Sequence, residues 1–305
     1  MTKVLIADKI AQEGIDYLRA AGFDVDVQLG LSPTELAAII APYAAIAVRS
    51  AAQVTREVIE AGTNLKAIGR AGVGIDNIDK EAAAERGIAV VNTPTANIVS
   101  ACEQTFALML ACARNTAQAN ASMHAGQWNR AQFTGTELYG KTLAIFGFGK
   151  IGTLVAERAA AFGMKLVAYD PFADYARAAA LGVELIGEID DILPIADVIT
   201  VHLPKTPETL GMFNAQRIAQ MKDGAIVLNV ARGGMYDDAA LAAALDSGKL
   251  AAVGIDVYES EPPGEDYPLL HCERAVLTPH LGASTREAQT RAGLQVAEYL
   301  AEALK

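Results

Sequence analysis

Cysteine is scarce in this chain of 305 residues. There are three, Cys102, Cys112 and Cys272, and no C-x-x-C pair among them. That offers neither a disulfide framework nor a thiol-based metal motif, and it fits buried thiols in a reducing cytoplasm. Positive charge is also in deficit: 25 Lys and Arg stand against 36 Asp and Glu, a net charge of -11. Such a surface argues against non-specific binding to nucleic acid or to membranes, while leaving room for a local basic pocket that holds a small anion. No uninterrupted apolar run reaches the ~18 residues of a membrane span. The N-terminal "MTKVLIADKI" becomes charged again at once, so it is not read as a signal peptide. Low-complexity tracts and further internal repeats are lacking too.

What is present is an ordinary globular composition, 52% hydrophobic and 20% charged, on a chain long enough for two domains. The first third alternates in kind. "KVLIAD", "FDVDVQ", "AAIAVRS", "LKAIGRAG" and "IAVVNTP" read as strands, and helical patterns lie between them, one opening at "SPTEL" with a serine cap and a proline. "TANIVSACEQTFALMLACARNTAQANASMHAG" reads as one long helix capped by Thr95 or Asn97. After an irregular polar segment the alternation restarts at "LAIFGFGKIG", and it closes with a helix near 284–304. This order predicts an α/β protein of two doubly wound, parallel-sheet (Rossmann-like) domains, with the active site in the cleft between them. The expected boundaries are 1–96 plus 283–305 for a discontinuous substrate domain, and 97–282 for the dinucleotide domain.

Gly147, Gly149 and Gly152 form a G-x-G-x-x-G that ends a strand and opens a helix. Gly147 permits the tight turn, Gly149 the approach of a pyrophosphate and Gly152 helix–strand packing, with the N–H groups near Lys150 and Ile151 facing the phosphates. A second strand ends in Asp170, 18 residues beyond Gly152, where a carboxylate would accept from a ribose 2'-hydroxyl. That carboxylate repels a 2'-phosphate, so the expected cofactor is NAD rather than NADP.

Hydride exchange with a 2-keto acid needs a carboxylate clamp and a proton donor. Arginine suits the first and histidine the second. Of four histidines, His124 and His271 read as solvated. His202 follows a strand and is the weaker candidate; His280, in "TPHLGAST", is the stronger. Glu261, stiffened by two prolines in "ESEPP", is its expected carboxylate partner, ahead of Glu259. Arg232, in "NVARGG", precedes two glycines that would let the backbone approach a ligand.

These stretches, with "IGRAGVGIDNID", "VVNTPTANIVSACE" and "GTELYGKTLAIFGFGKIG", resemble the D-isomer-specific 2-hydroxyacid dehydrogenases along nearly the whole chain, and within them the phosphoglycerate dehydrogenase branch. The resemblance implies NAD-dependent oxidation of D-3-phosphoglycerate, the entry to serine synthesis. Arg232 would bind carboxylate and carbonyl, and Glu261 would support His280 as general acid–base. It carries cofactor contacts onto Val73, Lys150, Ile151, Asp170, Leu203, Val230, Ala231, Arg232, Asp256, His280, Gly282 and Ala283, with Asp256 near the nicotinamide carboxamide. Substrate contacts fall on Arg49, Ser50, Arg70, Val73, Gly74 and Asn97, with Ser100 nearby, the arginines facing a phosphate. Arg130 would reach a partner's site in a cytoplasmic homodimer. No metal is implied. The chain also reads as a short form without the serine-binding C-terminal regulatory domains, so feedback by serine is not expected.

The nearest alternative is a hydroxypyruvate or glyoxylate reductase, or a broad D-2-hydroxyacid dehydrogenase, which would use the same Arg232–Glu261–His280 set. A corepressor-like binding module would keep the cofactor site without turnover. The intact Arg–Glu–His set and the acidic surface argue against it.

Overall fold

The structure, a computed structural model, describes all 305 residues. Two compact units emerge, Met1–Ser100 with Ala283–Lys305, and Ala101–Gly282. In the first, β1 (Lys3–Ile6), α1 (Gln12–Ala20), β2 (Asp24–Val27), α2 (Pro33–Ile39), β3 (Ala45–Val48), α3 (Arg56–Ala61), β4 (Ala67–Arg70), α4 (Lys80–Glu85) and β5 (Ala89–Asn92) alternate without exception. Ser32 opens α2 with a full capping box, its Oγ accepting from Glu35 N–H while the Glu35 carboxylate accepts from Ser32 N–H.

Helix α5 (Ile98–Arg114) leads into the second unit and is followed by α6 (Thr116–His124). The single helix expected over this stretch is therefore two. Asn115 adopts φ 52°, ψ 35°, a left-handed conformation that asparagine tolerates better than most residues. The break has a tertiary cause. Thr136 N–H donates to the Ala113 carbonyl at 2.8 Å and takes the acceptor that a continuing helix would use. Asn97, a candidate cap for α5, has a buried Oδ1 without a partner and so caps nothing.

The second unit then runs β6 (Thr142–Phe146), α7 (Lys150–Ala161), β7 (Lys165–Tyr169), α8 (Tyr175–Ala180), β8 (Val183–Leu185), α9 (Ile189–Ile192), β9 (Val198–Val201), α10 (Ala215–Gln220), β10 (Ala225–Asn229), α11 (Asp238–Asp246), β11 (Leu250–Ile255) and β12 (Ala275–Leu277). The final helix, α12 (Arg286–Ala303), belongs to the first unit.

Every strand pair is parallel. The first sheet has the order β2-β1-β3-β4-β5 and the second β12-β11-β10-β9-β6-β7-β8. Successive residues of a strand point to opposite faces, so each sheet carries two cores. In the first, Leu5 and Ile46 pack with Leu36 and Ile59, while Val4 and Ile6 pack with Leu18, Val296 and Leu300 on the other face. In the second, Leu143 and Ile145 meet Met109 and Val155, whereas Ala144 and Phe146 meet Ile192, Ile218 and Leu241. No helix is long and apolar enough to cross a membrane. The order of strands reverses once in each sheet, between β1 and β3 and between β6 and β9. In open α/β sheets such a reversal leaves a crevice at the carboxyl ends of the strands.

Candidate active site

The reversal in the second sheet carries the glycine fingerprint. Gly147 sits directly after β6 with φ +97°, and a Cβ there would stand 2.7 Å from the His202 carbonyl carbon. A Cβ on Gly152 would be 2.1 Å from the Gly147 carbonyl oxygen, so the helix can press onto the turn only as glycine. Gly149 is different. It caps α7, and a Cβ there would meet nothing within 4 Å. The N-cap of α7 is thus uncrowded, at the positive end of a helix of 12 residues. Asp170, one residue past β7, accepts from Phe148 N–H at 2.7 Å through one oxygen and from Phe172 N–H at 2.8 Å through the other. Each oxygen keeps a second lone pair for a ribose hydroxyl. These residues fit an NAD: an uncrowded pyrophosphate cradle, followed by a fixed carboxylate. Lys150 is exposed, Ile151 and Leu203 are half-buried, and Val230 and Ala231 follow β10 directly.

The histidines separate by environment. His202 continues β9, and its Nε2 lies 3.1 Å from the buried Thr200 hydroxyl. Burial pushes its pKa down to about 4, which keeps the ring neutral and removes it from proton transfer near pH 7. His124 and His271 are exposed. His280 stands apart, because its Nδ1 is 2.6 Å from Glu261 Oε2. A carboxylate only accepts, so Nδ1 carries the hydrogen and Nε2 is the nitrogen left to exchange a proton. Glu259 is exposed and makes no such contact; the geometry selects Glu261.

Asp256 and Tyr258 brace this pair, and Asn229 braces the neighbouring Arg232 turn, roles the sequence does not show. Asp256, just past β11 and fully buried, accepts from Thr278 Oγ1 at 2.6 Å, Leu281 N–H at 2.7 Å and Gly282 N–H at 2.8 Å. Tyr258 donates its N–H to Glu261 Oε1 and its hydroxyl to the Thr278 carbonyl. Asn229, 3% exposed, spans the Arg232 turn: its Nδ2 donates to the Arg232 carbonyl and its Oδ1 accepts from Ala231 N–H. The first of the two glycines after Arg232 approaches protein rather than open space. A Cβ on Gly233 would be 1.9 Å from the Tyr258 carbonyl carbon, so the Arg232 turn lies directly against the loop of Glu261.

In the first unit, Arg49 directly follows β3 and Arg70 is the last residue of β4. Asp8, 7% exposed, accepts from Arg49 N–H at 2.6 Å and Ala52 N–H at 3.0 Å. Asn77 donates to the carbonyls of Arg49 and Ala52, which pins the turn containing Ser50. The Arg70 guanidinium folds over Gly72, and Asn92 donates to the Val73 carbonyl beside Gly74. Lys9, Arg49, Gly72, Asn97 and Gln289 line one small pocket here, and the buried Asn97 Oδ1 is unpaired. Ser100 Oγ lies 2.7 Å from Thr285 Oγ1. Arg130 is exposed in the irregular stretch before β6. Asp8 lies outside the motifs that carry the family resemblance, whereas Asn77 and Asn92 fall within "IGRAGVGIDNID" and "VVNTPTANIVSACE" without being singled out there.

Comparison with known proteins agrees with this picture. Residues 106–282 match the model of the D-isomer specific 2-hydroxyacid dehydrogenase NAD-binding domain. A D-3-phosphoglycerate dehydrogenase of Archaeoglobus fulgidus is 50% identical over 99% of this chain and 57% of its own length. That of Methanocaldococcus jannaschii is 48% identical over 100% and 58%. The chain thus spans little more than half the length of the curated relatives it matches. Among solved structures, a Thermus thermophilus protein superposes with TM-score 0.92 at 35% identity, covering 99% of this chain and 97% of its own. A glyoxylate reductase of Paecilomyes thermophila gives 0.86 at 32%, covering 100% and 95%. With its NAD-binding domain matched over residues 106–282, this chain belongs to the D-isomer specific 2-hydroxyacid dehydrogenase family.

Proposed function

We propose that this chain oxidises D-3-phosphoglycerate to 3-phosphohydroxypyruvate with NAD, by hydride transfer. The observation that carries the reading is the His280–Glu261 pair at 2.6 Å, set beside the braced Arg232 turn. NAD, when bound, accepts the hydride from C2. The residues of the chain do the rest. His280 Nε2 takes the hydroxyl proton during oxidation and returns it during reduction, and Glu261 fixes the tautomer by accepting from Nδ1. Arg232 clamps the carboxylate with its planar fork. The pyrophosphate falls to Gly147–Gly152, the ribose to Asp170, and the nicotinamide end to Leu203, Val230, Ala231, Asp256, Gly282 and Ala283, with Val73 and Gly74 offering N–H groups. The Asp170 carboxylate disfavours a 2'-phosphate, which sets NAD above NADP.

The phosphate end is assigned to Arg49 and Arg70, with Ser50 and Asn97 as neutral partners. What supports this is the pocket lined by Lys9, Arg49 and Asn97, whose cations and amide nitrogen are groups that meet an anion. A homodimer is proposed through the stretch from α5 to β6, where Trp128 is 73% and Tyr139 77% exposed, with Arg130 serving the partner's site. The three cysteines are unpaired, and burial pushes Cys102 up to about 11 and Cys112 up to about 12, which fits a reducing cytoplasm. The likeness to a glyoxylate reductase supports a second reading, reduction of glyoxylate or hydroxypyruvate by the same three residues.

The test is NADH formation with D-3-phosphoglycerate, D-glycerate, D-lactate and D-2-hydroxyglutarate, each also run in reverse from its keto acid. Preference for D-3-phosphoglycerate supports the first reading, and preference for glyoxylate or hydroxypyruvate the second. His280→Asn is expected to cut kcat at least ~100-fold while leaving NADH binding intact. Turnover within twofold of the parent would refute the acid–base role.

A further inference from the structure

We propose that Tyr258 is a positioning residue that holds both members of the His280–Glu261 pair at once, through its backbone on one side and its hydroxyl on the other. The inference rests on the acid–base reading of His280 given above. Tyr258 follows β11 at the carboxyl edge of the second sheet and is 9% exposed. Its N–H donates to Glu261 Oε1 at 3.1 Å, leaving Oε2 for His280 Nδ1. Its hydroxyl donates to the Thr278 carbonyl at 3.0 Å. That same carbonyl accepts the backbone N–H of His280, also at 3.0 Å. One oxygen therefore ties the tyrosine ring to the turn that presents the imidazole.

That turn needs holding. Only two non-glycine residues in the chain adopt positive φ, Asn115 and His280, and His280 lies at φ 54°. A side chain in the left-handed region persists only where its surroundings over-determine it. Asp256 secures the backbone after His280 by accepting from Leu281 and Gly282, and Tyr258 secures the carbonyl before it. The two anchors bracket the imidazole within the five residues 278–282. The tyrosine itself is fixed, because its ring packs edge-on against Tyr267 with centroids 5.3 Å apart at 81°. Burial, reinforced by the Asp256 and Glu261 carboxylates, pushes the Tyr258 hydroxyl up to about 12, so it remains a donor throughout the neutral range. A phenylalanine would fill the same space and keep the N–H bond to Glu261. It would lose only the tether to Thr278. The hydroxyl is thus the part of the residue that packing does not explain.

Tyr258→Phe isolates that hydroxyl, and Tyr267→Phe serves as the matched control, since it removes a hydroxyl from the facing ring without touching the His280 turn. Expected for Tyr258→Phe is a fall in kcat of about three- to tenfold. KM for NAD should stay within about twofold, and the isotope effect with C2-deuterated substrate should rise as the chemical step slows. In the unliganded protein, the His280 imidazole cross-peak, assigned by its loss in His280→Asn, should broaden or double. Tyr267→Phe should leave kcat and cross-peak as in the parent. An unchanged cross-peak and unchanged kcat in Tyr258→Phe would overturn the proposal. So would equal losses in both tyrosine variants, which would reduce Tyr258 to packing. Full turnover in His280→Asn would instead remove the acid–base reading, while the cross-peak would still report whether the tether exists.

Discussion

The first sheet reverses its strand order between β1 and β3, the second between β6 and β9, and the two reversals are finished in opposite ways. At the first, a side chain does the joining: Asp8, after β1, reaches across to the N–H groups of Arg49 and Ala52 after β3. At the second, the absence of a side chain does it. Gly147, after β6, lies so close to His202 after β9 that a Cβ would stand 2.7 Å from its carbonyl carbon. The difference matches the ligands we assign. A carboxylate brace consumes backbone donors, and the pocket beside it is lined by the cations Arg49 and Lys9. A glycine turn leaves backbone donors free at a helix N-terminus, where a pyrophosphate can meet them.

The largest expected effect comes from breaking the glycine side of this comparison. Gly147→Ala puts a Cβ against backbone at φ +97° and should cost about 3 kcal/mol of stability, read as a lowered denaturation midpoint. Asp8→Ala breaks the other side more mildly. It strands two N–H donors, for a loss of about 2 kcal/mol. Steady-state kinetics should also show a raised KM for the phosphorylated substrate, because Arg49 loses its anchor. Gly149→Ala sharpens the contrast within the fingerprint. Its Cβ would meet no protein atom, so the melting temperature should hold while NADH, followed by fluorescence, binds about tenfold more weakly. A fall in stability equal to that of Gly147→Ala would show the cradle to be filled by protein after all.

The smallest effect concerns Asp238, in the first turn of α11. Burial pushes it up to about 6, helped by Glu259 and Asp237 and opposed by the Tyr267 hydroxyl. In the unfolded chain such a carboxyl ionises near pH ~4. Between those values the folded protein holds the extra proton, so stability falls as pH rises from about 4 through about 6. For this half-buried group, Asp238→Asn should gain about 1 kcal/mol at pH 7.5 and nothing at pH 4, by denaturant titration at both.

Much of this was legible in the linear order. Strand–helix alternation implied parallel sheets, and the glycine spacing with Asp170 implied a dinucleotide turn, because both are local signals. His280 and Glu261 were legible as candidates through their flanking motifs, and Cβ-less approach at Gly147 and Gly152 follows from the same spacing. The long helix was misread because its break at Asn115 is imposed by Thr136, which takes the Ala113 carbonyl from 23 residues away. The braces were illegible for the same reason. Asp8 bonds residues 41 and 44 positions ahead, and Tyr258 reaches Thr278 over 20. A single aspartate or tyrosine at a strand end gives no sign of where its hydrogen bonds will go.

The amino-acid sequence by itself determined the element order, the fingerprint turn and the identity of the chemical groups, since these depend on residue type and on spacings of a few positions. Only the tertiary structure decided that His202 stays neutral, and that His280 is held in a left-handed turn between Asp256 and Tyr258. Those outcomes depend on burial and on contacts between distant residues, and such contacts exist only once the parallel strands have brought their carboxyl ends to one edge.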